Sequence, residues 1–423
     1  MEIEKATMED VRRENGILNI RAVKWIINIP TEKVDLLYYI AFTSVLFYQY
    51  IFMTRFEREP FQVFYIFGAA VACVAAGLRW VKYLKTDKVY CLVSVGILAI
   101  GAAYFLVRGS YYFLVLALLV VGAKDVKTEQ LLQIYIAVAV CMIAVILNSY
   151  FGEGGILELG VKHHFGSINS TDFQGLLFFV LLPYLVLRRE RITYFELAFS
   201  VCVVVFFWRY TLAENNLYCS LIAIAVGAYY KTYKSMKKNT DISEVRKESA
   251  LKSLLMSLMV LSFVLFGIVM IFLVAKYDQE SEAWVHLNLI LHKRLEYAHK
   301  VFLEYPPSFF GSEFDVVGWG FTPGVSVSEQ YALYGYTYID SSYPNILIMH
   351  GEIIFIALIG GLTYLSYRYK KSGNYYMVFL LAVLALDCCA EGHLKELECN
   401  PFLALPFARL LSSSCTMRNN VGM

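Results

Sequence analysis

Charged side chains are scarce in this sequence. Asp, Glu, Lys and Arg make up only 17% of the 423 residues, whereas hydrophobic residues make up 58%. The 37 basic and 35 acidic side chains leave a formal net charge of +2, so no excess of either sign indicates a nucleic-acid-binding surface. Apolar runs long enough to cross roughly 30 Å of hydrocarbon instead recur along almost the whole chain. The composition therefore predicts an all-α, polytopic integral membrane protein.

Cysteine patterns and a secretion signal are also missing. None of the nine cysteines lies in the largest polar stretch and no two have CxxC spacing, so neither a disulfide framework nor a CxxC metal site is expected. The first 34 residues are polar and of mixed charge, unlike a cleavable signal peptide. We expect them to form a cytoplasmic tail that contains an interfacial helix.

The apolar runs predict about twelve membrane spans. They lie near residues 36–54, 60–78, 89–107, 109–123, 130–150, 172–187, 193–208, 215–230, 253–275, 344–366, 375–390 and 400–413. If the N-terminus is cytoplasmic, every connection on that side is rich in Lys and Arg, as the positive-inside rule requires. This orientation also places the C-terminus in the cytoplasm and predicts that the functional residues lie on the outer side.

The spans divide the chain into five predicted parts. These are a cytoplasmic tail at 1–34, a membrane domain with spans 1–9 at 35–275, a large extracytoplasmic loop at 276–343, spans 10–12 at 344–413, and a cytoplasmic tail at 414–423. No internal repeat of the transporter type is visible, and one loop is much longer than the others. Both features argue against an alternating-access carrier.

The large loop contains an apolar stripe that is typical of one amphipathic helix, and Pro306 and Pro307 end it. The stripe consists of Leu287, Ile290, Leu291, Leu295, Ala298, Val301 and Phe302. Arg294 falls inside it, so we expect its guanidinium to be carried against the membrane-embedded body. Its anionic partner is a carboxylate of another span, a lipid headgroup, or a phosphate of a substrate. Lys293 lies on the adjacent polar flank, which suits a solvated or headgroup-facing surface.

A second outer segment carries Lys162, His163 and His164 before a glycine turn. Adjacent histidines point to different sides of a strand or helix, and no cysteine or spaced carboxylate is near, so a shared zinc ion is not expected. The run from Thr171 to Gln174 fits a capping box for the next span. Lys162 is a cation close to the outer lipid headgroups.

The tenth predicted span opens with "YIDSSYPNILIMHGEI". Ser341 or Ser342 suits a helix cap, and the helix N-terminus behind it is an expected anion site. Asp340 either assists that cap or accepts a proton from an attacking hydroxyl. His350 and Glu352 are two residues apart and face different directions, so each needs its own partner, either for function or for helix packing.

Four stretches, in order between about residues 150 and 360, resemble a known family. They are "KHHFGSINSTDFQG", "RYTLAENNLYCSLI", "LNLILHKRLEYAHKVFLEYPPSFFG" and "YIDSSYPNILIMHGEI". Together they are similar to motifs of the bacterial polysaccharide polymerases of the Wzy type, which are relatives of the O-antigen polymerases and O-antigen ligases. The resemblance implies a helical, GT-C-like membrane architecture with one large extracytoplasmic loop, in the bacterial cytoplasmic membrane.

The resemblance also implies a reaction. An undecaprenyl-diphosphate-linked oligosaccharide donates its glycan to a sugar hydroxyl of a second lipid-linked unit, with no cofactor and no metal. Arg294 and Lys162 would neutralise the diphosphate and Asp340 would be the base, with His163 or His164 as a less favoured base. The implied substrate-binding residues are His163, His164, Asp172, Arg209, Lys293 and Tyr343.

The implied partners are the lipid-linked donor and acceptor and membrane lipids, and not a nucleic acid; a chain-length regulator and a flippase are further partners that the family suggests. The sequence departs from the family pattern at Lys162, where arginine is frequent, and at Glu214, where a basic residue is expected. In the related ligases a histidine matches Asp340. Two alternatives stay open: a flippase or other transporter of lipid-linked glycans, and a ligase of the O-antigen type.

Overall fold

The computed structural model describes residues 29–238, 250–318 and 336–411, and these residues form helices and no β-strand. The helices are α1 Thr31–Ile51, α2 Gln62–Tyr83, α3 Lys88–Arg108, α4 Tyr112–Gly122, α5 Thr128–Gly152, α6 Ser170–Arg188, α7 Tyr194–Thr211, α8 Glu214–Lys238, α9 Ala250–Val260, α10 Ser262–Lys276, α11 Glu282–Ile290, α12 Arg294–Glu304, α13 Ser342–Asn345, α14 Gly351–Lys371 and α15 Tyr375–Asp387. The predicted C-terminal tail, most of the predicted N-terminal tail and part of the large loop lie outside the described residues.

Seven of the described helices are long and apolar enough to cross a membrane, or eight if α9 and α10, which meet at a 64° bend, form one broken span. The chain is therefore an all-α membrane protein, but the prediction of twelve spans is not confirmed. The span predicted at 109–123 is the 11-residue α4, which reaches about 16 Å at 1.5 Å per residue, roughly half of the hydrocarbon thickness. The span predicted at 375–390 is the 13-residue α15.

The segment from residue 388 to residue 411 contains no regular helix longer than one short turn, although an apolar span was predicted at 400–413. It crosses the interior instead, because its far end reaches the α4–α5 connection, where Arg409 N donates to the carbonyl oxygen of Val126 at 2.8 Å. Arg368 of α14 donates to the carbonyl oxygens of Pro406 and Ala408 at 2.6 and 3.0 Å. Irregular backbone at membrane depth is tolerated only inside protein, where such partners satisfy it.

The membrane-embedded helices differ in how much protein surrounds them. In α6, 67% of the apolar window is buried inside the protein, whereas in α7 the share is 17%. The interior position of α6 brings its N-terminal turn close to the segment that follows α15. Most of the apolar surface of α7 therefore lies on the outside of the described fold, as expected for a helix that faces lipid.

The apolar stripe of the large loop forms two helices, α11 and α12, and not the single helix that its periodicity predicts. His292 and Lys293 have φ angles of 52° and 66°, in the left-handed region that breaks a right-handed helix. Asn288 stabilises the break, since its Oδ1 accepts a hydrogen bond from Glu296 N at 3.1 Å and its carbonyl oxygen accepts one from Lys293 N at 2.8 Å. Arg294 consequently begins α12 and does not lie in the middle of a helix.

Candidate functional site

Arg294 lies between two carboxylates that come from distant parts of the chain. Its side chain is 18% exposed, Nη2 lies 3.4 Å from Glu391 Oε1, and Nε lies 3.9 Å from Asp340 Oδ2. The sequence therefore predicted correctly that Arg294 packs against the body of the protein. We call Arg294, Asp340 and Glu391 the arginine cluster.

Asp340 ends an extended stretch that leads into α13. Tyr336 donates a hydrogen bond from its hydroxyl to Asp340 Oδ2 at 3.3 Å. Burial raises the pKa of Asp340 above its ordinary value, while the charge of Arg294 opposes the shift. A carboxylate that is partly desolvated and hydrogen-bonded is suited to accept a proton from a substrate hydroxyl.

Glu391 is a member of the arginine cluster that no sequence motif predicts. Its side chain is 6% exposed, and burial raises its pKa to about 7 against the opposing charge of Arg294. It lies in the polar run "EGHLKELECN" between two apolar stretches, and that density of charge in an otherwise apolar region is the signal that could have found it. No spacing rule connects this run to Arg294, because the two are 97 residues apart.

The predicted side-chain cap at the start of the tenth span is wrong, and the anion site behind it stays a prediction. Neither Ser341 nor Ser342 caps α13 with its side chain. Ser342 N instead contacts the carbonyl oxygens of Cys388 and Glu391 at 3.0 and 3.1 Å, and Ser342 Oγ accepts a hydrogen bond from Leu394 N at 3.1 Å. The first amide of this four-residue helix is thus occupied, and these hydrogen bonds tie α13 to the segment that carries Glu391.

A second polar cluster surrounds His393. Its Nδ1 lies 2.6 Å from Glu396 Oε2, and its Nε2 lies 3.7 Å from Asp172 Oδ1. Asp172 forms a capping box with Asn169 at the start of α6, so the box predicted between Thr171 and Gln174 is wrong by two residues. Asp172, a predicted substrate-binding residue, therefore belongs to a buried carboxylate–imidazole group.

The backbone of Gly392 connects the two clusters. A Cβ at this position would lie 3.4 Å from both the carbonyl oxygen of Asp340 and the hydroxyl of Tyr338. Burial raises the pKa of Tyr338 far above its ordinary value, and the charges of His393, Asp172, Glu396 and Asp340 also act on it. The Tyr338 hydroxyl therefore lies within the electrostatic field of both clusters.

The two histidines of the second outer segment have structural partners of their own. His163 is buried, with Nδ1 2.7 Å from the Tyr150 hydroxyl and Nε2 2.9 Å from the carbonyl oxygen of Glu158. His164 Nε2 lies 2.7 Å from Arg55 Nη2. Among the described residues, neither histidine has a hydrogen bond or ion pair to the arginine cluster, so the structure does not bring them to Arg294.

The predicted cations and Tyr343 also lie apart from the cluster contacts. Lys162, Arg209 and Lys293 are exposed, and in the described part of the chain none of them forms an ion pair with Asp340 or Glu391. Arg209 contacts the ring of its neighbour Trp208 at 5.7 Å. Tyr343 is fully buried and donates its hydroxyl to the carbonyl oxygen of Ala385 at 2.7 Å, which is a packing contact and not an open substrate surface.

His350 and Glu352 do have separate surroundings, as their spacing predicted. His350 ends a π-helical turn over Ile346–His350, and its Nδ1 lies 2.8 Å from the Tyr104 hydroxyl of α3. Glu352 N donates to the carbonyl oxygen of Ser308 in the large loop at 3.0 Å. The break between α13 and α14 therefore connects the membrane helices to the loop.

One group in the described residues has donor atoms of the type that hold a metal ion, namely His393, Glu396 and Cys399. Comparison of the chain with family models, with curated proteins and with solved structures gives no match. The resemblance to the polysaccharide polymerases consequently depends on the four sequence stretches alone. The function has to be argued from the arginine cluster and its surroundings.

Proposed function

We propose that this chain is a glycosyltransferase of the bacterial cytoplasmic membrane, with both termini in the cytoplasm, that polymerises oligosaccharide repeat units linked to undecaprenyl diphosphate on the outer side. The group transfer uses protein side chains and no metal ion. The observation that carries the proposal is the arginine cluster, in which a largely buried guanidinium from the large loop meets two carboxylates at the edge of the apolar helices. Its three residues come from three separate segments.

The geometry of Arg294 supports a role toward phosphate oxygens. A strong guanidinium–carboxylate pair has N–O distances of about 2.7–2.9 Å and is often bidentate. Here the two distances are 3.4 and 3.9 Å, and each carboxylate contacts a different nitrogen. The five N–H donors of arginine are thus not saturated by these two partners, so the guanidinium can also bind a diphosphate.

The reaction follows from these groups. A sugar hydroxyl of the acceptor attacks the anomeric carbon of the donor, and its proton passes to the Asp340 carboxylate. The bond from the anomeric carbon to the diphosphate oxygen breaks, and the electron pair leaves with the lipid diphosphate. Arg294 neutralises the negative charge that develops on this leaving group, which is electrostatic stabilisation of the transition state. Glu391 keeps the guanidinium in place between turnovers.

The exposed cations have a weaker role in this proposal. Lys162 lies on the outer segment, where it attracts anionic headgroups or the diphosphate at longer range, and Lys293 precedes Arg294 in the turn between α11 and α12. Exposed charges act through screened, long-range attraction and not through a fixed contact. We therefore assign the chemical step to Arg294 and Asp340 and the capture of substrate to the lysines.

The test is reconstitution of the full chain in liposomes with a lipid-diphosphate-linked repeat unit, followed by analysis of glycan length. Wild type should produce a ladder of glycan lengths. Arg294→Ala and Asp340→Asn should lose it, with a rate reduction of roughly 100- to 1,000-fold for Arg294→Ala, the effect of removing one transition-state donor. Lys300→Ala is the matched control, because Lys300 is an exposed cation of the same helix.

Two results would reject the polymerase. Movement of repeat units across the liposome membrane without any ladder would identify a carrier of lipid-linked glycans. Transfer of a single glycan to a different acceptor, with no chain extension on the lipid-linked unit, would identify a ligase. A ladder that is unchanged in Arg294→Ala would leave the activity intact but remove the arginine cluster as its site.

A further inference from the structure

The residues His393, Glu396 and Cys399 are brought to one side by the local backbone. His393–Lys395 form a 3₁₀ turn, and the turns continue, since Glu396 N contacts the carbonyl oxygen of His393 and Cys399 N that of Glu396, both at 3.2 Å. In such turns residues three apart are eclipsed. The spacing of three between these residues therefore places imidazole, carboxylate and thiol together, and their donor atoms lie within 4.8 Å of one another.

The His393 ring lies between the carboxylates of Glu396 and Asp172. Nδ1 faces the shared space with Glu396 at 2.6 Å, while Nε2 faces the Asp172 carboxylate at 3.7 Å. Histidines that bind metals usually donate their second ring N–H to a carboxylate or carbonyl, which orients the ring. His393 is 4% exposed and Cys399 is 1% exposed, whereas the Glu396 side chain is 25% exposed, so water reaches this space only from the side of Glu396.

Carboxylates are concentrated around His393. Four carboxylates lie on this side of the protein: Asp172, Glu391, Glu396 and Glu398. Their fixed cationic partners are Arg294, at Glu391, and Lys395, whose Nζ lies 3.6 Å from Glu396. Buried charges in proteins are paired or bind metals. Glu398 interacts electrostatically with Glu396 and His393, and its buried Oε2 has no hydrogen-bond partner within the described residues.

A hydrogen bond without an ion accounts for only part of this arrangement. It satisfies His393 and Glu396, and the Cys399 thiol interacts with the same imidazole, but it leaves the buried Oε2 of Glu398 without a hydrogen-bond partner among the described residues. A thiolate and an imidazole together favour zinc over magnesium or calcium, which prefer oxygen ligands alone. Three protein ligands leave one position of a tetrahedral zinc ion for a fourth ligand.

We propose that His393, Glu396 and Cys399 bind one zinc ion, with the Asp172 carboxylate facing the second nitrogen of the His393 ring. The ion fastens the irregular segment after α15, and this segment carries Glu391 to Arg294. None of its proposed ligands belongs to the arginine cluster, so we assign the ion a structural role, and its presence can be measured without the proposed glycan transfer.

The first experiment measures metal in the purified full chain, prepared in detergent under reducing conditions with an affinity tag that contains no histidine. Wild type and Cys389→Ser should contain near-equimolar zinc, and Cys399→Ser should lose it. Cys389 is the matched control because its sulfur contacts the carbonyl oxygen of Ala385. Asp172→Asn should retain the ligands but bind zinc about 10- to 100-fold more weakly.

Cobalt substitution keeps the test decisive if Cys399→Ser does not fold. Wild-type protein that is stripped with chelator and reloaded with Co²⁺ should show the near-ultraviolet charge-transfer band of a cobalt–thiolate bond, and Cys389→Ser should show it equally. Absence of equimolar zinc, together with no saturable binding of added Zn²⁺ or Co²⁺, overturns the proposal. Equal zinc in wild type and folded Cys399→Ser also overturns it.

Discussion

The arginine cluster and the outer segment around Lys162 differ in what their cations contact. Arg294 is largely buried and faces two carboxylates, whereas Lys162 is exposed and the two histidines beside it contact Tyr150, Glu158 and Arg55. The sequence assigned both regions to one substrate site. Only the first has the unsaturated, partly desolvated charge that chemistry on a diphosphate requires. The second has the satisfied contacts of a structural element.

The largest expected effect is on the rate of chain extension, and it tests whether Arg294 acts through the planar shape of its guanidinium as well as through its charge. Arg294→Lys keeps the positive charge but loses the planar fork, so it should recover little of the roughly 100- to 1,000-fold loss expected for Arg294→Ala. Chain extension by reconstituted protein measures this. A wild-type rate in Arg294→Lys would show that a positive charge alone suffices at this position. Arg294 and Lys162 would then not differ in the chemistry of their cations.

The next largest effect is on stability, and it concerns Glu391, which contacts Arg294 in the arginine cluster. Glu391→Gln should lower the free energy of unfolding by about 1–3 kcal/mol, because the buried Arg294 keeps only the more distant partner Asp340. Thermal unfolding in detergent measures the loss, and Glu304→Gln, an exposed carboxylate of the helix α12 that carries Arg294, is the control. Equal stability of Glu391→Gln and wild type would mean that Arg294 does not depend on this pair.

In the outer segment, His163→Ala should affect stability more than chemistry. The variant leaves the Tyr150 hydroxyl and the Glu158 backbone without their imidazole partner, at a cost of about 1 kcal/mol. The rate of chain extension, measured well below the unfolding temperature, should change little. A loss of activity comparable with that of Arg294→Ala, in a protein of normal stability, would return His163 to the catalytic site.

The smallest effect is expected at Lys162. Lys162→Ala should raise the KM for the lipid-linked unit by less than about fivefold, since an exposed ion contact contributes only about 0–1 kcal/mol. Added salt should shrink the difference between variant and wild type because it screens exposed charges. A loss in kcat that salt does not change would show that Lys162 contacts the reacting groups after all.

The sequence by itself determined the class of the protein and many of its helices. Long apolar runs predicted an all-α membrane protein because the hydrocarbon core demands continuous apolar helices, and eight of the predicted spans coincide with candidate spans when the bent pair α9–α10 counts as one. The other four predicted spans do not coincide with candidate spans: 109–123 is the short α4, 375–390 is the short α15, 400–413 is irregular as far as residue 411, and 215–230 lies in α8, which is long but is not among the candidates. At α4, at α15 and in the last segment, apolarity misled for one reason. A segment buried in protein and a segment exposed to lipid are equally apolar.

The break between α11 and α12 shows a local limit of the sequence pattern. The spacing of apolar residues predicted that Arg294 would face the body, and it does. The pattern could not reveal the left-handed pair His292 and Lys293, because that conformation depends on how the backbone and side chain of Asn288 bridge the two helices. Arg294 therefore enters the site from the first turn of a helix.

Only the tertiary structure decided which groups Arg294 meets. Glu391 lies 97 residues from Arg294 and Asp340 lies 46 residues away (340 minus 294), and no periodicity extends over such distances. The folding of an irregular segment against α13, through the contacts of Ser342, brings Glu391 to the guanidinium. The sequence thus predicted a buried cation that requires anionic partners, and the packing of distant segments determined which carboxylates lie beside it.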